Sequence, residues 1–376
     1  MRFRHRDGSL VHLAYCTNVH QAEDLGGVLA QLARFGEPVR ERLGVSRLGL
    51  GLWLARPVAS ELVANPAAVD RLRGELATRG LEVVTFNGFP YQGFHDPVVK
   101  HKVYRPDWST PERTQYTLDL AKLLAELLPD DAARGSVSTL PLGWRTEWQD
   151  DRGQLELLAK GLAAQRRPVR VAFEPEPGCV IETTAQAASL LSDVDTDWLG
   201  VCLDTCHLAV GFEDPAAALG RLEAAGLDVV KLQASAALEA ASPKDPATRR
   251  ALESFVEPRF LHQSNEGAPP GADDLDLALA GGLSGEAPWR VHFHVPLHAD
   301  PAPPLTSTRP VLAATLAELF GGPAARTDHV EVETYTWQVL PDAPADDAGL
   351  VAGIAAELDW TRRELIALGL EEEVSE

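Results

Sequence analysis

The chain has 376 residues, 45% of them hydrophobic, with 34 Lys and Arg against 55 Asp and Glu, a formal net charge of −21. A surface of that sign repels nucleic-acid backbones and anionic membranes, and the short basic clusters Lys100–Lys102 and Arg166–Arg170 do not reverse it. The length suits one elaborated barrel or two ordinary domains. The four cysteines, Cys16, Cys179, Cys202 and Cys206, form no CxxC pair and fit reduced thiols. No apolar run reaches the roughly 18 residues of a membrane span, and Met1–Asp7 leads into no apolar signal segment. A soluble, cytoplasmic protein without a nucleic-acid partner is the expectation.

Taken in order, Leu10–Cys16 reads as a strand, followed by Thr17-Asn18-Val19-His20 and a helical pattern through Val28, Leu29, Leu32 and Phe35. Arg47–Leu54 is the second strand, and one long amphipathic helix is expected over Ala59–Arg79. Leu81–Asn87 is the third strand. It leaves into a glycine-rich aromatic loop, Asn87-Gly88-Phe89-Pro90-Tyr91-Gln92-Gly93-Phe94-His95, that reaches Tyr104 and Trp108. A loop that long is often functional. Thr110-Pro111-Glu112 opens a helix to about Leu128.

Ser136–Leu140, Val169–Glu174, Leu199–Asp204 and Val229–Gln233 continue the strands, each followed by a helical pattern or a break. An acidic stretch rich in Ala, Gly and Pro, residues 235–289, interrupts the rhythm. Arg290–Val295 and Val330–Tyr335 complete nine strand candidates. Strands alternating with helices predict a parallel sheet covered by helices. The expected fold is α/β, a (β/α)8 TIM barrel of residues 8–340 with 235–289 as an insertion. Residues 341–376 form a C-terminal helix and an acidic tail. Eight strands close a barrel, so one candidate is surplus, and Arg290–Val295 is the choice. A dinucleotide-binding fold lacks its GxGxxG after the first strand.

Five strands carry polar groups on one face, late in the strand, at the end where barrel enzymes place their chemistry. They are Glu174 and Glu176; Asp204; Lys231, Gln233 and Ser235; His292 and His294; Glu331, Glu333 and Tyr335. In Val201-Cys202-Leu203-Asp204-Thr205-Cys206-His207, the acid closes a strand and the histidine follows three residues later. A helix-capping Asp explains that spacing as well as a site does. Glu174, Asp204 and Glu333 with one or more of His207, His262, His292 and His294 make an oxygen/nitrogen ligand set. Carboxylates with one imidazole suit Mn²⁺, Mg²⁺ or Co²⁺, and more imidazoles favour Zn²⁺. A buried ion-pair network with Lys231, Arg170 and Arg290 is the other reading of the same residues.

Leu203-Asp204-Thr205-Cys206-His207 resembles the Asp-Thr-Cys-His strand of the xylose isomerase-like barrel superfamily, which includes endonuclease IV and ketose epimerases. Further blocks resemble the EboE metabolite traffic family within it. They are Tyr15–His20, Asn87–Tyr91, Gly93–His95, Val103-Tyr104 with Pro106–Trp108, Glu174–Pro177, Leu261–Gln263, Val291–Pro296 and Glu331–Trp337. The resemblance implies a divalent-metal site in which Glu174, Asp204, His207 and Glu333 are ligands. The seventh strand departs from the pattern, since Gln233 stands where a histidine is usual. Gln233, His262 or His294 is then the completing ligand, or the metal is lost.

Glu174 and Glu333 are the expected catalytic pair, moving a proton on opposite faces of a sugar, a polyol or a partly apolar metabolite. Asn18, His20, Asn87, Tyr91, His95, Lys231 and His292 are the expected substrate contacts. Phe89, Tyr91, Phe94, Tyr104 and Trp108 are expected to cover the pocket. A metal-dependent hydrolase and a non-catalytic metabolite-binding protein with operon-encoded partners are the alternatives.

Overall fold

Eight strands, buried along almost their whole length, close a barrel in this computed structural model, which describes residues 1–373. They are β1 (Leu10–Cys16), β2 (Leu48–Trp53), β3 (Leu81–Asn87), β4 (Gly135–Thr139), β5 (Val169–Phe173), β6 (Leu199–Asp204), β7 (Val229–Ala234) and β8 (His329–Val332). Each pairs in parallel with the next, and β8 pairs with β1, Val330 opposite Leu13 and Val332 opposite Tyr15. The parallel eight-stranded barrel expected from the sequence is the observed fold. Among the described residues, no helix is long and apolar enough to cross a membrane.

The surplus strand is the one expected. Trp289–Val291 lies outside the barrel, in an antiparallel sheet built between β7 and β8. Its order is Ala268–Ala272, Ser264–Glu266, Trp289–Val291, Leu238–Ala240 and Thr306–Ser307. The strand is shorter than Arg290–Val295, because Phe293 N–H donates to the Val291 carbonyl at 2.7 Å and bends the chain. His292 and His294 therefore sit on an irregular segment beyond the strand, which runs over the C-terminal mouth of the barrel.

The single helix expected over Ala59–Arg79 is two, Arg56–Ala64 and Pro66–Thr78. Pro66 cannot continue a helix from the residues before it. Asn65 is extended between them and accepts the Ala68 N–H. The acidic tail begins as a short strand: Glu371–Glu372 pairs antiparallel with Arg2–Arg4, and Arg362 reaches Glu372 at 2.6 Å. The last residues of that expected tail, 374–376, lie outside the described residues.

Inside the barrel, Lys231 of β7 and Glu331 of β8 meet at 3.0 Å, both side chains fully buried. Gly51 of β2 makes room for them, because a Cβ there would lie 1.7 Å from Glu331 Oε2. The pair is the floor of the site described next.

Candidate metal centre

Asp204 explains both readings of its motif. It is the last residue of β6, and its Oδ1 accepts the His207 N–H at 2.9 Å, capping the helix Thr205–Val210. The cap turns the chain so that the His207 ring returns over the strand end. Ser235 Oγ donates to the same oxygen at 2.8 Å. Asp204 Oδ2, buried, has no partner. Glu174 stands one residue beyond β5 and Glu333 one beyond β8, so the ends of β5, β6 and β8 deliver a carboxylate each.

Glu174, Asp204 and Glu333 each present an oxygen, and the three atoms lie within 4.8 Å of one another. Burial and then the facing carboxylates, Glu333 and Asp204, push the Glu174 carboxyl well above its usual range. Burial, followed by Asp204, raises Glu333 to about 8. Among the described residues, no lysine or arginine nitrogen comes within 4.0 Å of any of the three. The ion-pair reading is thereby corrected. Lys231 is held by Glu331, Arg170 by Asp228 and Arg290 by Glu239. What the acids do have is amide support: Asn18 and Asn87 donate to Glu333 Oε1 at 2.7 and 2.9 Å.

Three imidazoles approach from the other side. His207 Nδ1 faces the Pro175 carbonyl at 2.9 Å, and His294 Nδ1 faces the Glu333 carbonyl at 2.8 Å. A carbonyl only accepts, so each Nδ1 carries the proton and each Nε2 is a bare lone pair. That second-sphere pattern is the usual one for metal-binding histidines. His294 Nε2 is buried without a partner, and His207 Nε2 lies 3.0 Å from His292 Nε2. Asp204, His207 and His294 form one group with donor atoms within 4.8 Å, and Glu176, His207 and His292 another. Burial lowers all three histidines, His207 to about 4, which keeps them neutral and able to ligate. Unpartnered acceptors with no donor between them, in a space shielded from water, fit a small divalent cation.

Several expected site residues lie elsewhere. Both ring nitrogens of His262 are engaged, Nε2 by Glu257 at 2.8 Å and Nδ1 by the His292 carbonyl at 2.9 Å, so it belongs to neither group. Gln233, paired with Asp204 across β6 and β7, is fully buried with both amide atoms unpartnered. Lys231 is below the site, closed off from substrate. His20 stacks on Phe35 and contacts the Tyr15 hydroxyl, His95 packs against Trp53, and Tyr91 packs on Tyr116. Trp108 is a core residue against Phe173, its indole donating to the Leu140 carbonyl.

Phe89, Phe94 and Tyr104 do wall the cavity, joined by Phe260 and Tyr335. The cavity holds about 60 Å³ between these rings and the acids. Glu176 faces it, accepting from the Tyr104 hydroxyl at 2.8 Å, and burial raises it to about 8. Strand alternation puts Glu176 on the face of Glu174, and its place past the strand end, between two prolines, is what ranks it below Glu174 from sequence.

The sequence profile of the family described as xylose isomerase-like TIM barrel matches residues 49–276. A curated relative, probable endonuclease 4 of Carboxydothermus hydrogenoformans, is 26% identical over 150 residues, 36% of this chain and 53% of its own length. The chain thus spans about half the length of that relative. Among solved structures, a xylose isomerase-like TIM barrel protein from Mycobacterium smegmatis in complex with magnesium aligns with a TM-score of 0.51 at 14% identity, covering 94% of this chain and 98% of that one. D-psicose 3-epimerase with D-tagatose from Clostridium cellulolyticum H10 aligns with a TM-score of 0.48 at 15% identity, covering 94% and 99%.

Proposed function

This chain belongs to the xylose isomerase-like TIM barrel family, and from that premise we propose that it is a divalent-metal-dependent enzyme with isomerase- or epimerase-like chemistry on a small hydroxylated metabolite. The observation that carries the reading is the meeting of three carboxylates and three lone-pair imidazoles with no lysine or arginine among them. Glu174, Asp204, Glu333, His207 and His294 would hold the cation, with His292 beside them. A bound cation supplies polarisation of a substrate carbonyl and its neighbouring hydroxyl.

Glu174 and Glu333 enter from separate strands and would take and return the proton on the two sides of a substrate carbon. Asn18 and Asn87 hold the Glu333 carboxyl in place for that task. The aromatic wall of Phe89, Phe94 and Tyr104 keeps bulk water from the exchanged proton and favours a metabolite with an apolar part. The finer assignment to the EboE type, with operon-encoded partners, rests on the sequence blocks that resemble that family, and a place in the cytoplasm on four cysteines that fit reduced thiols.

The contact of His207 Nε2 with His292 Nε2 favours a second reading, a small-molecule hydrolase with a second cation at the imidazoles. A nucleic-acid substrate suits neither reading, given the net charge of −21. Elemental analysis of purified protein and of an Asp204→Ala/Glu333→Ala double variant tests both. One metal per chain, lost in the variant, is expected, and an epimerase screen of sugars and polyols follows. Two metals per chain turn the choice to the hydrolase. No metal in the wild type, even after Mn²⁺ or Zn²⁺ is supplied, overturns both and leaves a metabolite-binding protein.

A further inference from the structure

Gln263 belongs to the Leu261-His262-Gln263 block, and its side chain sits behind the imidazoles, almost fully buried. Its amide nitrogen donates to the Pro177 carbonyl and to the Tyr104 hydroxyl, both at 2.9 Å. The carbonyl only accepts, and the Tyr104 proton is already given to Glu176. The amide therefore cannot turn over, and Oε1 is the atom 2.7 Å from His292 Nδ1. His292 must carry its proton there, which leaves Nε2 a bare lone pair. His207 is fixed in the same form by the Pro175 carbonyl. Two lone pairs then face each other across 3.0 Å, with the Tyr335 hydroxyl, 3.5 Å from His292 Nε2, as a distant donor. Neutral imidazole left to itself takes either tautomer. With the proton on Nε2, His292 would donate to His207 and close the space between the rings.

The geometry points to Gln263 as a positioning residue that selects the Nδ1–H tautomer of His292 and so holds the His207–His292 pair open for a cation. The consequence for cation binding rests on the metal reading of the site. The tautomer itself does not. The chain Glu176–Tyr104–Gln263–His292 also ties the turn Lys100–Tyr104, which walls the cavity, to the imidazole it covers.

The test is long-range ¹H–¹⁵N NMR of the histidine rings in full-length protein freed of metal by chelation, with a His292→Gln variant to assign the signal. The wild type is expected to hold His292 as Nδ1–H. Gln263→Met is expected to shift it towards Nε2–H, and Gln263→Glu to restore Nδ1–H through its carboxyl oxygen. Zn²⁺ affinity, read by competition with a chelating dye, is expected to fall about 10–100-fold in Gln263→Met and to recover in Gln263→Glu. An Nε2–H signal in the wild type overturns the inference without any variant. An unchanged tautomer in folded Gln263→Met overturns it as well. Wild-type protein that takes up no Zn²⁺ while its tautomers behave as expected defeats the metal reading and leaves the tautomer role of Gln263 standing.

Discussion

Lys231 and Glu331 show how one small residue permits a charged pair inside a barrel. Gly51 leaves the volume that the Glu331 carboxylate fills, and the ammonium of Lys231 answers it at 3.0 Å. Burial works to lower Lys231, but the Glu331 carboxylate outweighs it and the net shift is upward, so the lysine stays charged. Removing one partner of such a pair strands the other charge. Lys231→Met is expected to cost about 3–5 kcal/mol in urea unfolding of the metal-free protein, whereas Lys231→Met/Glu331→Leu recovers most of that loss. Gly51→Ala is expected to destabilise by about 1–3 kcal/mol, because its methyl group has nowhere to go. Equal losses for the single and double Lys231 variants would show that the pair is uncoupled. Strand alternation places Lys231 and Glu331 on the inner face. It cannot say how deep along the strand each lies, which is why Lys231 reads from sequence as a substrate contact.

At the scale of elements, the C-terminal helix Asp347–Ala367 acts on the site through one residue. Glu357 is buried and accepts the Leu297 N–H at 3.1 Å, the Thr334 hydroxyl at 2.6 Å and the Trp337 indole at 3.1 Å. Those partners lie just past His294 on one side and Glu333 on the other, so the helix clips together the two segments that carry these residues. Glu357→Leu leaves two buried N–H donors unanswered and is expected to cost about 2–5 kcal/mol in urea unfolding. Glu357→Gln, which keeps one acceptor, should lose less. Element existence was largely legible: strand candidates in the sequence fall on all eight barrel strands and the surplus one, although β4, Gly-Ser-Val-Ser-Thr, carries a single apolar side chain. Boundaries were less so. The two helices flanking Asn65 bury one continuous stripe, Val58, Ala59 and Leu62 and then Ala68, Val69, Leu72 and Leu76, and the apolar period passes through the break. Only Asn65-Pro66 signals it, and Asn65→Ala is expected to lower stability by about 1 kcal/mol through loss of the cap. The site was half legible for a related reason. Strand ends project ligands at a regular spacing, but His262, His292 and His294 come from an irregular segment whose path no period encodes.

For the molecule as a whole, the buried acids and imidazoles oppose each other as pH changes. Glu176 and Glu333, raised to about 8 when folded, bind more protons in the folded chain than in the unfolded one between about 4.5 and 8. Stability of the metal-free protein therefore falls as pH rises through that window. His207, lowered to about 4, binds fewer protons when folded, so its contribution is lost as pH falls from about 6.5 to 4. Between about pH 4.5 and 6.5 the two act against each other, and above about 6.5 the acids act alone, so thermal unfolding of chelated protein is expected to fall to lower temperature from about pH 6.5 to 8. Saturating metal should flatten the alkaline limb, since a cation takes the place of the protons on Glu333. An alkaline limb unaltered by metal would place the acids outside any cation site.

The pairing of β8 with β1 has a consequence in time. The edge of β1, complete at Cys16, has no β8 partner until Val332 has been made. At ribosomal rates of about 5–20 residues per second, that edge waits roughly 15–60 s. Glu333 follows the closing strand by one residue. The acid that completes the carboxylate cluster thus arrives with the last stave of the barrel, and under the proposed function metal loading would be a late check that the nascent chain has sealed.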